Sequence, residues 1–362
     1  MAPQAAVVSY RLGGNDGVSV EARKWAWALG ELGFEVRRVA GAFEDDGFAD
    51  DVVVAGLTIE PADVVDGAAL SAAVTGADLV VVENMCSLPL NVEASRAVVR
   101  ALDTVRGRVL LRHHDLPWQR RQLQELEAEF PPRPPGALHV TVNLRSRREL
   151  QARGYEGART VHNFFDLDVA AGDRHATRAA FGFADDELVV FQPARAIERK
   201  NVPGGIRFST RLAQLTGRTV RYWLSGPAED GYGPTLEKIL ARSDVPVTSG
   251  RAATVCDAYA ASDVIAFPST WEGFGNPTIE SIAARRPCAA FPYPVLAEIL
   301  SSGVRLFSTE HPENVVKFLA DSDAVREQYY DVNLRRARLS YALTDLPAAL
   351  ERAFFDHGWS AW

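Results

Sequence analysis

Apolar runs of strand length alternate along the chain with segments in which apolar residues return every three or four positions. In the first half the strand-like runs are Ala5 to Tyr10, Phe34 to Val39, Asp78 to Glu83, Arg108 to His113, Leu138 to Val142 and Arg159 to Val161. In the second half they are Leu188 to Pro193, Val220 to Ser225, Val247 to Ser249, Val264 to Phe267 and Pro287 to Phe291. Unbroken apolar stretches such as Leu79-Val80-Val81-Val82 are what strands covered on both faces require, which is the situation in parallel sheets. Helical periodicity fills the gaps. Glu21 to Leu32 sets Trp25, Ala28, Leu29 and Leu32 on one face, and Asn201 to Leu215, Tyr232 to Ala241, Thr254 to Ala260, Thr278 to Ala284 and Glu313 to Leu319 carry the same pattern. Such alternation predicts βα units and an α/β chain in which each half is a doubly wound, Rossmann-like domain.

A length of 362 residues exceeds what one hydrophobic core usually organises, so two domains are expected. The boundary is placed in His162 to Asp168, after the last strand of the first half, giving domains 1–165 and 166–344. The segment from about 345 to 362, with Phe354, Phe355, Trp359 and Trp362, is apolar enough to pack back on the first domain or to serve as a tail for a partner chain. Pro131-Pro132-Arg133-Pro134-Pro135 reads as a stiff loop, not a linker.

Charge narrows the choice of partners. A net charge of −8 disfavours nonspecific binding to nucleic acid or to an anionic membrane, so an anionic ligand has to meet a local cluster of Arg and Lys. The apolar runs are too short to span a bilayer, and Met1-Ala2-Pro3-Gln4 leads into a strand without a charged leader. Cys86, Cys256 and Cys288 have no metal-ligand spacing, and with the missing leader they predict a cytoplasmic protein.

Candidate chemistry gathers where strands end. In Trp271-Glu272-Gly273-Phe274-Gly275-Asn276-Pro277-Thr278-Ile279-Glu280, two carboxylates stand with seven residues between them across a Gly-rich turn that follows a predicted strand. Carboxylates accept from sugar hydroxyls, and glycines let backbone N–H groups approach a ligand, a combination suited to a sugar nucleotide. Arg195, Arg199 and Lys200 follow another strand, where fixed cations would stabilise charge developing on a diphosphate. Near the N-terminus, Gly13, Gly14 and Gly17 form a loop with Asp16 between strand and helix, without the spacing of a dinucleotide fingerprint; a plain turn capped by Ser19 is the alternative. Glu83-Asn84 and His113-His114-Asp115 end two further strands, and adjacent histidines on a strand point to opposite faces, which disfavours a metal pair.

The Glu272 to Glu280 spacing resembles the Glu-x7-Glu signature of the retaining GT-B glycosyltransferases, the group 1 or family-four type. The resemblance implies a GT-B fold, two Rossmann-like doubly wound domains facing across a cleft, with the acceptor on the first and the nucleotide-sugar donor on the second. It assigns the donor sugar to Glu272, the donor's phosphates and sugar to Gly273, Phe274, Gly275, Asn276, Pro277 and Thr278, and the ribose to Glu280. Arg195 and Lys200 match the family's diphosphate-binding pair, and His114 matches the His of its His-Asp pair. The loop of Gly13, Gly14 and Gly17 would lie near the donor, and Asp16, Asn84 and His113 near the acceptor. The implied reaction is metal-independent front-face transfer from a nucleotide-diphosphate sugar to an acceptor hydroxyl, with no cofactor, and the acidic charge and lack of an obvious membrane face favour a small soluble acceptor; Asp166-Leu167-Asp168, a literal Asp-x-Asp string, falls in the interdomain connection. Arg285 and Arg286 depart from the family, which has Gly and a small residue there. A sugar-nucleotide epimerase of the same fold and a noncatalytic nucleotide-sugar-binding protein are the alternatives.

Overall fold

A computed structural model describes residues 2–45, 47–61 and 63–359. Contacts divide the chain between Phe164 and Phe165, with one unit made of Met1–Phe164 and Leu343–Trp362 and the other of Phe165–Ala342.

The first unit holds a seven-stranded sheet whose neighbours run Val52–Val53, Glu35–Ala40, Gln4–Val8, Leu79–Glu83, Arg108–His113, Leu138–Thr141 and Arg159–Thr160. Every pair is parallel. Successive side chains on a strand face opposite ways. Ala5, Val7, Leu79, Val81 and Leu110 accordingly pack under the helix Gly17–Glu31 through Trp25, Ala28 and Leu29. Ala6, Val8, Val80, Val82 and Leu111 pack on the other face with Leu70, Ala94 and Val98 of the helices Gly67–Val74 and Val92–Leu102. The helix Leu346–Asp356 completes the first of these cores with Leu346, Leu350, Ala353 and Phe354. Phe355 faces solvent instead, and Trp362 lies outside the described residues.

The second unit repeats the arrangement, in the order Val247–Ser249, Val220–Leu224, Leu188–Gln192, Val264–Phe267, Cys288–Ala290 and Phe307–Ser308, again parallel throughout. Phe191, Trp223, Ile265 and Phe267 meet Tyr259 of the helix Val255–Ala261 on one face. Leu188, Val190, Val264 and Ala266 meet Phe208 and Leu212 of the helix Val202–Thr216 on the other. In both sheets the third, second, first, fourth, fifth and sixth strands in chain order lie side by side. The chain therefore leaves the first and fourth strands in opposite directions, and a crevice opens at their carboxyl ends.

Several elements differ from expectation. The two-residue edge strands Val52–Val53 and Phe307–Ser308 were not expected, nor was the full nineteen-residue extent of the helix Asp323–Tyr341, which buries Asn333, Ala337 and Tyr341 and leaves its remaining positions mixed. The first helix begins at Gly17, ahead of the expected Glu21, because Asp16 caps it. Arg285 takes the left-handed conformation with φ 53°, which explains why glycine suits that position. Its guanidinium is held by Glu327 and Asp331 of the long helix, so pairing offsets part of the backbone cost. Among the described residues no helix is long and apolar enough to cross a membrane.

Candidate functional site

In the second unit, the switch-point crevice is bordered by the loop after Leu188–Gln192 and the loop after Val264–Phe267. Backbone and side-chain bonds lace the two together. Thr270 N donates to Arg199 O at 2.9 Å, and Asn201 Nδ2 donates to Pro268 O at 3.1 Å. Gln192 fastens the first loop's return by donating to Lys200 O at 2.9 Å. Asn201, itself left-handed at φ 51°, also caps the following helix through Gly204 N.

That lacing brings three side chains together. Lys200 Nζ stands 2.6 Å from Glu272 Oε1, and Arg199 Nη1 stands 2.8 Å from Glu272 Oε2 while also donating to Trp271 O at 3.0 Å. Glu272 is 6% exposed. Burial alone would raise its carboxyl, yet Lys200 and Arg199 hold it down at about 2, so the group is a carboxylate at neutral pH. Burial in turn lowers Lys200, opposed by Glu272. Arg195 stands apart from this trio, half-exposed and paired with Glu229 at 2.5 Å, where a bridge between Ala196 and Ala228 aligns the two loops.

The turn after Glu272 is tightly built. Gly275 has φ 107°, and a Cβ there would lie 2.2 Å from the Tyr293 hydroxyl, which donates to Phe274 O at 2.9 Å. Phe274 is buried against Phe165 and Tyr341. Thr278 turns inward and donates to Gly275 O at 2.8 Å, Asn276 precedes the short helix Pro277–Ala283, and Pro277 supplies its first residue. Glu280 accepts from the Tyr259 hydroxyl at 2.8 Å. Gly273 sits between Glu272 and this turn.

The first unit presents its own carboxyl edge. Asp16 turns its carboxylate to Val18 N, Ser19 N and the Ser19 hydroxyl, and pairs with Arg11 at 3.3 Å, so the cap is Asp16 and not Ser19. A Cβ on Gly13 would lie 2.4 Å from the Asp45 carboxylate and one on Gly14 would lie 2.6 Å from Glu44 Oε2, so this acidic loop rests on the two glycines; Gly17 has open space. Arg38 anchors Asp45 at 2.8 Å.

Next to that loop, charges run inward in a chain. Lys24 Nζ meets Glu21 at 2.6 Å; Arg112, fully buried beneath Trp25, donates at 3.1 Å to each of Glu21, Asn163 and Glu83; Glu83 meets His114 Nε2 at 3.1 Å. Burial opposes ionisation of Glu83, but Arg112 and His114 keep its carboxyl below the ordinary range. Asn84, left-handed at φ 62°, accepts from the backbone N–H of His114 at 3.0 Å and of Asp115 at 3.4 Å. His113 points the other way, 1% exposed, with Nε2 3.0 Å from His139 Nδ1. Burial and the neighbouring imidazoles push it well below the usual range, so both buried rings are neutral at pH 7.

Glu272, Lys200 and the turn to Glu280 thus converge in the second unit, with Glu83, Asn84 and His114 a separate group in the first. Among the participants not anticipated as partners are Glu229, Tyr259, Tyr293 and Glu21. The first three act over long sequence separations that no local motif reports, and Glu21 reads as an ordinary solvated acid on an amphipathic helix. Asp166 accepts from Asp168 N at 2.9 Å and Asp168 pairs with Arg338, local roles for the Asp-x-Asp string.

Comparison with known proteins agrees with this architecture. The model of the family described as glycosyl transferases group 1 matches residues 195–322. The chain is 26% identical to mannosylglucosylglycerate synthase of Thermotoga maritima over 84% of each sequence. It is 33% identical to D-inositol 3-phosphate glycosyltransferase of Mycobacteroides abscessus over 36% of this chain and 30% of that protein. Among solved structures, Anabaena HepE in complex with UDP and glucose superposes with a TM-score of 0.75 at 17% identity, covering 98% of this chain and 99% of that one.

Proposed function

We propose that the chain is a retaining, metal-independent group 1 glycosyltransferase of GT-B fold that moves a sugar from a nucleotide sugar to a small soluble acceptor, a reading supported by the family match over residues 195–322, by the mannosylglucosylglycerate synthase relative and by the fold shared with HepE. The observation that carries this reading is the convergence of Lys200 and Arg199 on the buried Glu272 at the switch point of the second sheet. Such an arrangement keeps a carboxylate ionised for hydroxyl recognition while holding Lys200 beside it, where a diphosphate would leave.

In this reading Lys200 and Arg195 receive the diphosphate as its charge grows, doing electrostatically what a bound metal does elsewhere. Glu272 holds the donor sugar, Glu280 holds the ribose with Tyr259 fixing its carboxylate, and the backbone from Gly273 to Thr278 frames sugar and phosphate. His114 contacts a sugar hydroxyl. Double displacement would demand a carboxylate nucleophile at the anomeric carbon. Glu272, clamped by two cations, is better suited to binding, so the acceptor oxygen attacks on the face the diphosphate leaves and passes its proton to a diphosphate oxygen. Two relatives named for mannosylglucosylglycerate and for inositol 3-phosphate favour a small acceptor, and favour a transferase over an epimerase. Three free cysteines, two of them buried, suit a reducing cytoplasm.

Incubation with uridine, guanosine and adenosine diphosphate sugars, with and without chelator, tests the reading. Slow donor hydrolysis unaffected by chelator is expected, and with an acceptor the proton coupling of the new anomeric centre should match the donor's. An isomerised nucleotide sugar would overturn transfer, and an inverted anomer would overturn retention. Glu280→Ala should weaken nucleoside diphosphate binding by roughly 10- to 100-fold, the scale of a lost charge-assisted hydrogen bond. Glu272→Ala should mainly lower kcat. Equal and small effects from both would refute the role assignment.

A further inference from the structure

We infer that Glu83 is the positioning residue for His114: it fixes the imidazole so that Nε2 carries the hydrogen and Nδ1 is the nitrogen presented to substrate. This rests on the sugar contact proposed for His114 above.

Glu83 ends the strand Leu79–Glu83, and its side chain is wholly inaccessible, so it cannot touch a ligand itself. One carboxylate oxygen belongs to Arg112 at 3.1 Å, and the other faces His114 Nε2 at 3.1 Å. A carboxylate only accepts hydrogen bonds, so the hydrogen in that contact resides on Nε2. With the Nε2 hydrogen committed to Glu83, Nδ1 is the ring nitrogen left for the sugar hydroxyl. Glu83 stays ionised because the surrounding charges balance: Lys24 and Arg112 against Glu21 and Glu83, each joined to the next. The backbone is fixed independently, since Asn84 Oδ1 accepts from the N–H groups of His114 and Asp115. Loop and ring are thereby held by adjacent residues of one strand end, Asn84 the former and Glu83 the latter. Carboxylate partners that set the tautomer and angle of a working histidine act in this way.

The test is a double-mutant cycle on the full chain, with Glu83→Gln, Glu83→Asp and His114→Ala, alone and combined. Glu83→Asp keeps a negative charge beside Arg112 while withdrawing it from the ring, which guards against a folding defect in Glu83→Gln. Each Glu83 variant should lower kcat roughly 10- to 100-fold, the scale of a misplaced catalytic group, with the donor KM changed by less than about threefold. In the His114→Ala background the same changes should have no further effect. Additive losses would overturn the inference, because a structural defect would act with or without the imidazole. Should His114→Ala retain full kcat, the sugar contact fails, and the positioning claim is judged by the ring itself. Long-range proton–nitrogen spectra should show the Nε2–H tautomer for His114 in the parent and a mixture in Glu83→Asp. An Nδ1–H ring in the parent, or an unchanged ring in the variant, would refute it.

Discussion

Glu272 is ionised between two cations in a place that would otherwise favour its neutral form, and that has a price in acid. Its ordinary value of 4.5 falls to about 2 on folding. The stabilisation is therefore complete above about pH 5 and disappears as pH drops from there towards 2; by linkage it is on the order of 3 kcal/mol. Unfolding by urea between pH 7 and pH 2 should show the parent losing this increment and Glu272→Gln, already less stable at neutral pH, changing less steeply. Parallel curves would contradict it. The residues of this trio were legible in the sequence because each lies just past a recognisable strand. Tyr259 on Glu280 and Glu229 on Arg195 were not, since pairing across 21 or 34 positions depends on tertiary packing. Gly13 and Gly14 were legible as a loop open to close approach, with a phosphate or sugar as the expected neighbour; in the structure protein side chains lie against them. The placing of Glu44 and Asp45 there depends on a loop that Arg38 anchors, which no local pattern encodes.

At the scale of elements, the turn from Gly273 to Asn276 is shaped by one residue that must lack a side chain. Gly275→Ala would place a methyl against the buried Tyr293 ring in a conformation that L-residues resist. We expect it to cost about 2–3 kcal/mol and much of the activity, the backbone contributing roughly 1–2 kcal/mol. Adding Tyr293→Phe should return part of the stability by removing the clashing oxygen; no recovery in thermal melts would mean that the backbone conformation carries the whole cost. Long apolar strands such as Leu79–Glu83 and Leu188–Gln192 were readable because burial on both faces leaves a continuous signal. The edge strands Val52–Val53 and Phe307–Ser308 are two residues each, too short to show any period. The helix Asp323–Tyr341 escaped a full reading because three buried positions leave too faint a stripe.

Across the whole molecule, the second unit is one continuous segment and the first is interrupted by it. Phe165 N donates to Tyr341 O at 2.8 Å, so the two ends of the inserted segment meet. A fragment of residues 165–342 should fold by itself, with a cooperative melt, and bind nucleoside diphosphate within about tenfold of the full chain, since its cores close without outside residues. Residues 1–164 alone should remain loosely packed, missing Leu346, Leu350, Ala353 and Phe354. Calorimetry on both pieces decides; an unfolded 165–342 fragment would refute the expectation. The same interruption imposes an order during synthesis. Trp25, Ala28 and Leu29 leave the ribosome early, but the helix Leu346–Asp356 that covers them emerges only after the entire inserted unit. The sheet made first is thus the last to have its core completed, because the places of Leu346, Leu350, Ala353 and Phe354 stay unfilled until the end of the chain is made.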